Sequence, residues 1–226
     1  MKKNNYVITG GLGFIGSTIT KMLVNRKDTG KCIIVDNYTN YINPLRWTFA
    51  DYRKLRFTNI KDKKLKNNIN KKIIFYRGDC ADFKIMYTIL EKYKPKCVFH
   101  AAAVPVAKIE NPNVSEFRKG SIDTTINILD CLDLIQKKSK YKLKRFIYIS
   151  SSMVYGDFLK KQAFEDDTTK PKEIYGSAKL AGEVITRGLC KFYNINFSII
   201  RPSAVYGPTD MNNRVSQIFI DNAIKN

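Results

Sequence analysis

A glycine-rich turn between an apolar strand and an amphipathic helix limits this chain more than any other feature. Tyr6–Thr9 is short, apolar and β-branched. Thr9-Gly10-Gly11-Leu12-Gly13-Phe14-Ile15-Gly16 follows, and from Phe14 to Asn25 apolar residues recur at helical spacing (Ile15, Ile19, Met22, Leu23). Glycines at 10, 13 and 16 permit a tight turn, a close backbone approach to a pyrophosphate and close helix–strand packing. The helix that opens there adds free N–H groups and the positive end of its dipole. The next apolar run, Cys32–Val35, ends at Asp36, twenty residues after Gly16. A carboxylate there suits a ribose 2′-hydroxyl and repels a 2′-phosphate, which points to NAD over NADP. The alternative is a plain turn that uses glycine only for packing, and the acidic residue weighs against it.

Further apolar runs lie at Ile73–Tyr76, Cys97–Phe99, Phe146–Ile149 and Phe197–Ile200. Helical spacing fills Phe83–Lys92, Ile122–Ile135, Tyr175–Tyr193 and Val215–Ile224. Strands alternating with helices predict an α/β fold with a doubly wound, Rossmann-like parallel sheet. The runs are continuous, as strands covered on both faces require. Two stretches break the rhythm. Residues 40–70 form a basic, aromatic insertion, and Lys61–Lys72 reads as a solvated loop or helix face. The expected division is a cofactor-binding domain over residues 1–208, followed by the start of a second segment over 209–226.

Composition narrows the class. The chain has 226 residues, of which 44% are hydrophobic, enough for one sizeable core. No apolar run approaches the ~20 residues of a membrane span, and the N-terminus lacks a signal peptide's apolar stretch, so no membrane association is expected. The five cysteines are scattered, no pair has metal-ligand spacing and there is one histidine, His100. No metal site or disulfide framework is expected, and a cytoplasmic location fits. The net charge of +20 raises nucleic-acid binding as a possibility. The excess is mostly lysine and no recognition motif accompanies it, so no specific nucleic-acid partner is expected. A positive field would instead attract an anionic, diphosphate-bearing substrate.

Tyr175 and Lys179 stand at i and i+4 on a helix, one above the other. A free tyrosine, with a pKa of ~10, is a poor base near neutrality, and a lysine ammonium beside it favours the phenolate. Such a pair also occurs by chance. Its weight comes from Ser150-Ser151-Ser152, just past the strand Phe146–Ile149, where residues of a doubly wound sheet line the ligand crevice. A polar turn is the alternative there.

Taken together, TGGLGFIG at 9–16, VDN at 35–37, RGD at 77–79, HAAA at 100–103, SSSMVYG at 150–156, YGSAK at 175–179 and RPSAVYGP at 201–208 resemble the extended short-chain dehydrogenase/reductase family. The branch is that of the NAD-dependent nucleotide-sugar epimerases and dehydratases, such as UDP-glucose 4-epimerase. The resemblance implies NAD as cofactor. Gly10, Gly13, Phe14, Ile15 and Gly16 would hold the pyrophosphate turn, and Asp36 and Asn37 the adenosine ribose. Asp79 and Cys80 would flank the adenine, and Ala101, Ala102 and Ala103 would lie along the cofactor. Ser151 would be the catalytic hydroxyl, with Ser152 as the alternative. Tyr175 would be the base and Lys179 its partner, both also touching the cofactor. His100 is read as structural.

The departures bear on substrate. Dehydratases of this branch carry an Asp-Glu pair after the catalytic hydroxyl, where this chain has Ser152 and Met153. Ala204 and Ser121 stand where the family commonly has asparagine, and the resemblance implies that most of the family's small C-terminal substrate domain is not to be expected within these residues. The expectation is 4-epimerisation of a nucleotide-activated sugar, most simply a UDP-sugar, through a 4-keto intermediate. The alternatives are another oxidation-first enzyme (decarboxylase, dehydratase or reductase) and a truncated, non-catalytic NAD-binding domain. A homodimer is left open.

Overall fold

The computed structural model describes residues 3–38, 71–104, 113–157, 162–207 and 215–225. The basic insertion expected at 40–70 and the domain boundary expected at 208–209 lie outside the described residues. Six strands form one parallel sheet: β1 (Asn4–Thr9), β2 (Thr29–Asp36), β3 (Ile73–Arg77), β4 (Cys97–His100), β5 (Arg145–Ile149) and β6 (Phe197–Ile200). Their spatial order is β3-β2-β1-β4-β5-β6. This is the doubly wound, Rossmann-like sheet that the alternation of runs predicts. The order reverses between β1 and β4, and the crevice of such a sheet opens at the carboxyl ends of those two strands.

The two-residue period of a strand sends neighbours to opposite faces, and both faces are covered. On one face Val7, Ile33, Val35, Val98, Phe146 and Tyr148 pack with α2 (Phe83–Tyr93) and α4 (Thr124–Lys138) through Met86, Leu90, Ile128 and Leu132. On the other, Tyr6, Ile8 and Cys32 meet Leu23 and Val24 of α1 (Phe14–Val24). Each fully buried large side chain contributes ~1.5–3 kcal/mol. α2 begins at Asp82, whose carboxylate accepts from the Ile85 N–H, and ends at Lys94 in the left-handed region (φ 40°).

The helix expected at Ile122–Ile135 begins earlier. α3 (Val114–Phe117) runs through a π-helical stretch, Arg118–Asp123, into α4. The apolar spacing hides this start because Lys119, Gly120 and Ser121 interrupt it. Tertiary contact supplies the reason: Ser121 is buried, and a Cβ on Gly120 would come within 3.1 Å of the Val104 side chain. β2 likewise extends beyond its apolar run, because Thr29 pairs in register with Asn4. α5 (Ile174–Phe192) and α6 (Val215–Lys225) complete the described helices.

Candidate functional site

β1 ends at Thr9 and its glycine turn passes directly beneath the end of β4. Gly10 has φ +63°, and a Cβ there would lie 2.7 Å from the Ala102 nitrogen. A Cβ on Gly16 would lie 2.3 Å from the Gly10 carbonyl oxygen. The turn closes through the Gly13 N–H on the Gly10 carbonyl (2.9 Å), and α1 starts at Gly13, which has no side chain to cap it. Gly10, Gly13, Gly16, Ala101 and Ala102 are thus gathered at one place, with Phe14 and Ile15 opening the helix. A helix N-terminus without a side-chain cap is an anion-binding feature.

Asp36 ends β2 and is buried. One carboxylate oxygen accepts from the Leu12 N–H at 3.0 Å and the other from the Tyr38 N–H at 2.9 Å. The residue expected to read a ribose therefore also ties the glycine turn to the end of β2. Asn37 beside it is exposed. Asp79 ends the β3 loop, accepts from the Ala81 N–H and pairs with Lys119 of the π-helical stretch at 2.8 Å. Cys80 is buried, which pushes its thiol up and keeps it protonated. Its carbonyl accepts from Asn127 at 2.6 Å. The glycine cradle, which any Cβ would fill, together with the acid at the end of β2, fits a dinucleotide.

His100, at the end of β4, is fully enclosed. Thr9 Oγ1 is 2.7 Å from its Nδ1, and Thr125 Oγ1 is 3.1 Å from its Nε2. Thr125 gives its own proton to the Ser121 carbonyl, so Nε2 carries the ring hydrogen and Nδ1 accepts from Thr9. Burial, with the Lys179 charge adding, pushes the imidazole down to about 3, so it stays neutral. This geometry ties β1, β4 and α4 together.

Tyr175 and Lys179 lie in the first turns of α5. Lys179 is buried, donates to the Ile149 carbonyl at 2.8 Å, and sits 5.4 Å from the Tyr148 ring centroid and 6.0 Å from that of Tyr175. Burial draws its pKa down to about 8, against the opposing charge of Glu183. Ser151 follows β5 and caps a 3₁₀ turn, Ser152–Tyr155, its hydroxyl accepting from the Met153 N–H at 3.2 Å. Gly176 brings this turn and the tyrosine together, since a Cβ there would come within 2.6 Å of the Met153 carbonyl oxygen.

One part of the site was not read from the sequence. Glu183, a further turn along α5, is buried and accepts from Ser150 Oγ at 2.5 Å. Arg201, just past β6, grips both its oxygens, Nε at 2.8 Å and Nη2 at 2.7 Å. The other terminal nitrogen, Nη1, donates to Tyr155 Oη at 2.8 Å. Burial raises the Glu183 carboxyl, but the hydrogen bonds from Arg201 and Ser150 outweigh it and hold it below its ordinary value. The available signal was a carboxylate at i+4 from Lys179, on the same helix face. Arg201 lines a cavity of about 660 Å³ together with Ser152, Tyr155, Arg187 and Ile200. Among the described residues, no group of three or more His, Cys, Asp or Glu side chains is placed to hold a metal ion. No described helix is long and apolar enough to cross a membrane.

The profile of the NAD dependent epimerase/dehydratase family matches residues 6–226. The chain is 30% identical to a putative UDP-glucose 4-epimerase of Methanocaldococcus jannaschii, covering 97% of this chain and 63% of the relative. It is 28% identical to the dTDP-D-glucose 4,6-dehydratase of Dictyostelium discoideum, covering 97% and 48%. Its fold is that of the UDP-glucuronic acid 4-epimerase from Bacillus cereus, solved with UDP-glucuronic acid and NAD. There the TM-score is 0.79 at 23% identity, covering 98% of this chain and 63% of the other. The chain thus spans less than two thirds of the length of each.

Proposed function

The chain belongs to the NAD dependent epimerase/dehydratase family, and on that premise we propose that it epimerises a nucleotide-activated sugar, a UDP-sugar, at C4 by transient oxidation to the 4-keto sugar. The observation that carries this reading is the packing of Tyr175 and the buried Lys179 on one face of α5, against the end of β5 that leads into Ser151.

NAD is the family's cofactor, and the chemistry it supplies when bound is reversible two-electron oxidation of the sugar carbon. Gly10, Gly13, Phe14, Ile15 and Gly16 would hold its pyrophosphate, and Asp36 and Asn37 its adenosine ribose. Asp79 and Cys80 would flank the adenine, and Ala101, Ala102 and Ala103 would line its path. Tyr175 removes the proton from the C4 hydroxyl. Lys179, charged below about pH 8, favours the phenolate that this requires and would also donate to the nicotinamide ribose. Ser151 donates to the C4 oxygen, orients it and shares its proton. General-base help of this kind is worth ~10²–10⁴-fold.

Epimerisation is preferred over water elimination because Ser152 and Met153 offer no carboxyl beside Ser151. The test is to incubate the protein with NAD and with UDP-glucose, UDP-galactose, UDP-glucuronate or dTDP-glucose, and to follow the sugars by NMR. Interconversion of the C4 epimers of one UDP-sugar is the expected outcome. A 4-keto-6-deoxy product would make it a dehydratase. NAD binding without turnover of any sugar would support a non-catalytic cofactor-binding domain.

A further inference from the structure

Ser151 sits in a turn whose two ends are held by the same buried ion pair. At one end the Ser150 hydroxyl donates to Glu183 at 2.5 Å. At the other, Tyr155 Oη accepts from Arg201 at 2.8 Å, and the guanidinium carbon lies 4.8 Å from the Tyr155 ring centroid. Arg201 closes the pair with two parallel hydrogen bonds to Glu183, the directional geometry of a guanidinium–carboxylate fork. Glu183 is 1% exposed, while Arg201 is part-buried and reaches it from the cavity side. The turn's backbone is also fastened to β6 and the loop after it: the Ser150 N–H donates to the Ile200 carbonyl and the Ser152 N–H to the Pro202 carbonyl. Lys179, one helical turn before Glu183, takes the Ile149 carbonyl. Two successive residues, Ile149 and Ser150, are thus gripped by Lys179 and Glu183 of one face of α5.

From this arrangement we propose that Glu183 and Arg201 are positioning residues for the hydroxyl of Ser151. They act through that turn and not on the reacting atoms. They hold the entry and the exit of its turn, so that Ser151 keeps one place relative to Tyr175 on the same helix. The inference rests on the reading of Ser151 as the hydroxyl that meets the sugar oxygen. A misplacement of ~1 Å in such a site costs ~10²-fold in rate. A stability role alone would require only that the pair be satisfied, and would not need it to contact both ends of one turn.

The test uses Ser150→Ala and Tyr155→Phe, which each release one end and leave the ion pair intact, beside Glu183→Gln, which removes the charge. NAD affinity is measured first, as a check that the cofactor cleft is unchanged. Backbone amide exchange over residues 151–156 should speed up about tenfold or more in Ser150→Ala and Tyr155→Phe, with the amides of β1 and β4 unaltered. Reduction of bound NAD by the nucleotide-sugar, followed at 340 nm, should slow ~10–100-fold with substrate affinity retained. In a Ser151→Ala background the same changes should add almost nothing to the rate loss, because the group they position is gone. Unchanged exchange over 151–156, or a rate loss that adds in full to that of Ser151→Ala, would overturn the proposal. A Ser151→Ala variant with wild-type turnover would overturn the reading of Ser151 itself. If no sugar reduces the cofactor, the amide exchange alone decides the matter.

Discussion

The ammonium of Lys179 lies 6.0 Å from the centre of the Tyr175 ring, one helical turn away, with its hydrogen bond given to the Ile149 carbonyl. A buried cation beside a phenol is the arrangement that lowers the cost of ionising the phenol. It also places a charge where water does not reach, and that has a cost of its own.

That cost makes the first prediction. Burial lowers Lys179 from 10.5 to about 8. Between those values the unfolded chain holds a proton that the folded chain has released, so stability rises with pH across the window. The penalty is fully present below about pH 8 and is relieved by pH 10.5. Urea unfolding of the NAD-free chain at several pH values should show wild type gaining up to about 3 kcal/mol relative to Lys179→Met over this range. A constant difference between the two would mean that Lys179 titrates normally.

The second concerns Asp36, whose two oxygens accept from the Leu12 and Tyr38 N–H groups. Asp36→Ala should therefore weaken both cofactor binding and the fold. The stability loss should be ~1–3 kcal/mol, for polar groups deprived of their acceptor. NAD affinity should fall more than tenfold, and the wild type's preference for NAD over NADP should disappear. Parallel titrations with the two cofactors check this. Equal affinity of the wild type for both would remove the role given to the carboxylate.

The sheet was legible because its central strands β1, β2, β4 and β5 are covered on both faces, so each contains an apolar run with turn residues at its end. Val7, Ile33 and Val98 facing one way, and Tyr6, Ile8 and Cys32 the other, leave no polar position to break the run. Polar strand ends such as Thr29 were missed because a polar side chain ends the apolar run, although Thr29 is buried, pairs with Asn4 and donates its hydroxyl to the Leu23 carbonyl. The glycine turn and the Tyr175–Lys179 pair were legible because their spacing is local. The Glu183–Arg201 pair was not. Its members are eighteen residues apart, and a satisfied buried ion pair leaves no periodicity for a sequence to show.

His100 supplies the third prediction. Its two nitrogens are both engaged by threonines, and burial lowers it from 6.5 to about 3. Below pH 6.5 the unfolded chain takes up a proton that the folded chain refuses. Stability is therefore lost as pH falls from 6.5 through 3, by on the order of 5 kcal/mol in full. His100→Gln, which keeps a donor and an acceptor without a titrating ring, should lose less stability over the same interval. Unfolding curves at pH 7, 5.5 and 4.5 decide it. Parallel losses in both proteins would show that carboxylates alone govern the acid limb.

The last prediction concerns the base. Tyr175 packs with Ile174, Phe117 and Val104, so its ring is part of the fold while its hydroxyl is the proposed chemical group. Tyr175→Phe keeps the ring and removes only the oxygen. Folding should survive within ~0.5 kcal/mol, and NAD affinity should fall only by the loss of the Tyr175 hydroxyl contact, because the glycine cradle and Asp36 are unaltered. Reduction of bound NAD by a nucleotide-sugar should fall by ~10²–10⁴-fold. Ser151→Ala should cost less, since it removes a hydrogen bond to the sugar oxygen and leaves the base in place. Lys179→Met should fall between the two and should displace the alkaline limb of the pH–rate profile, because the charge that favours the phenolate is gone. The rates are read at 340 nm in single turnovers, so that product release does not mask the chemical step. Near-normal reduction in Tyr175→Phe would sink the assignment of the base. A Ser151→Ala loss larger than that of Tyr175→Phe would move the base role from the tyrosine to the serine turn.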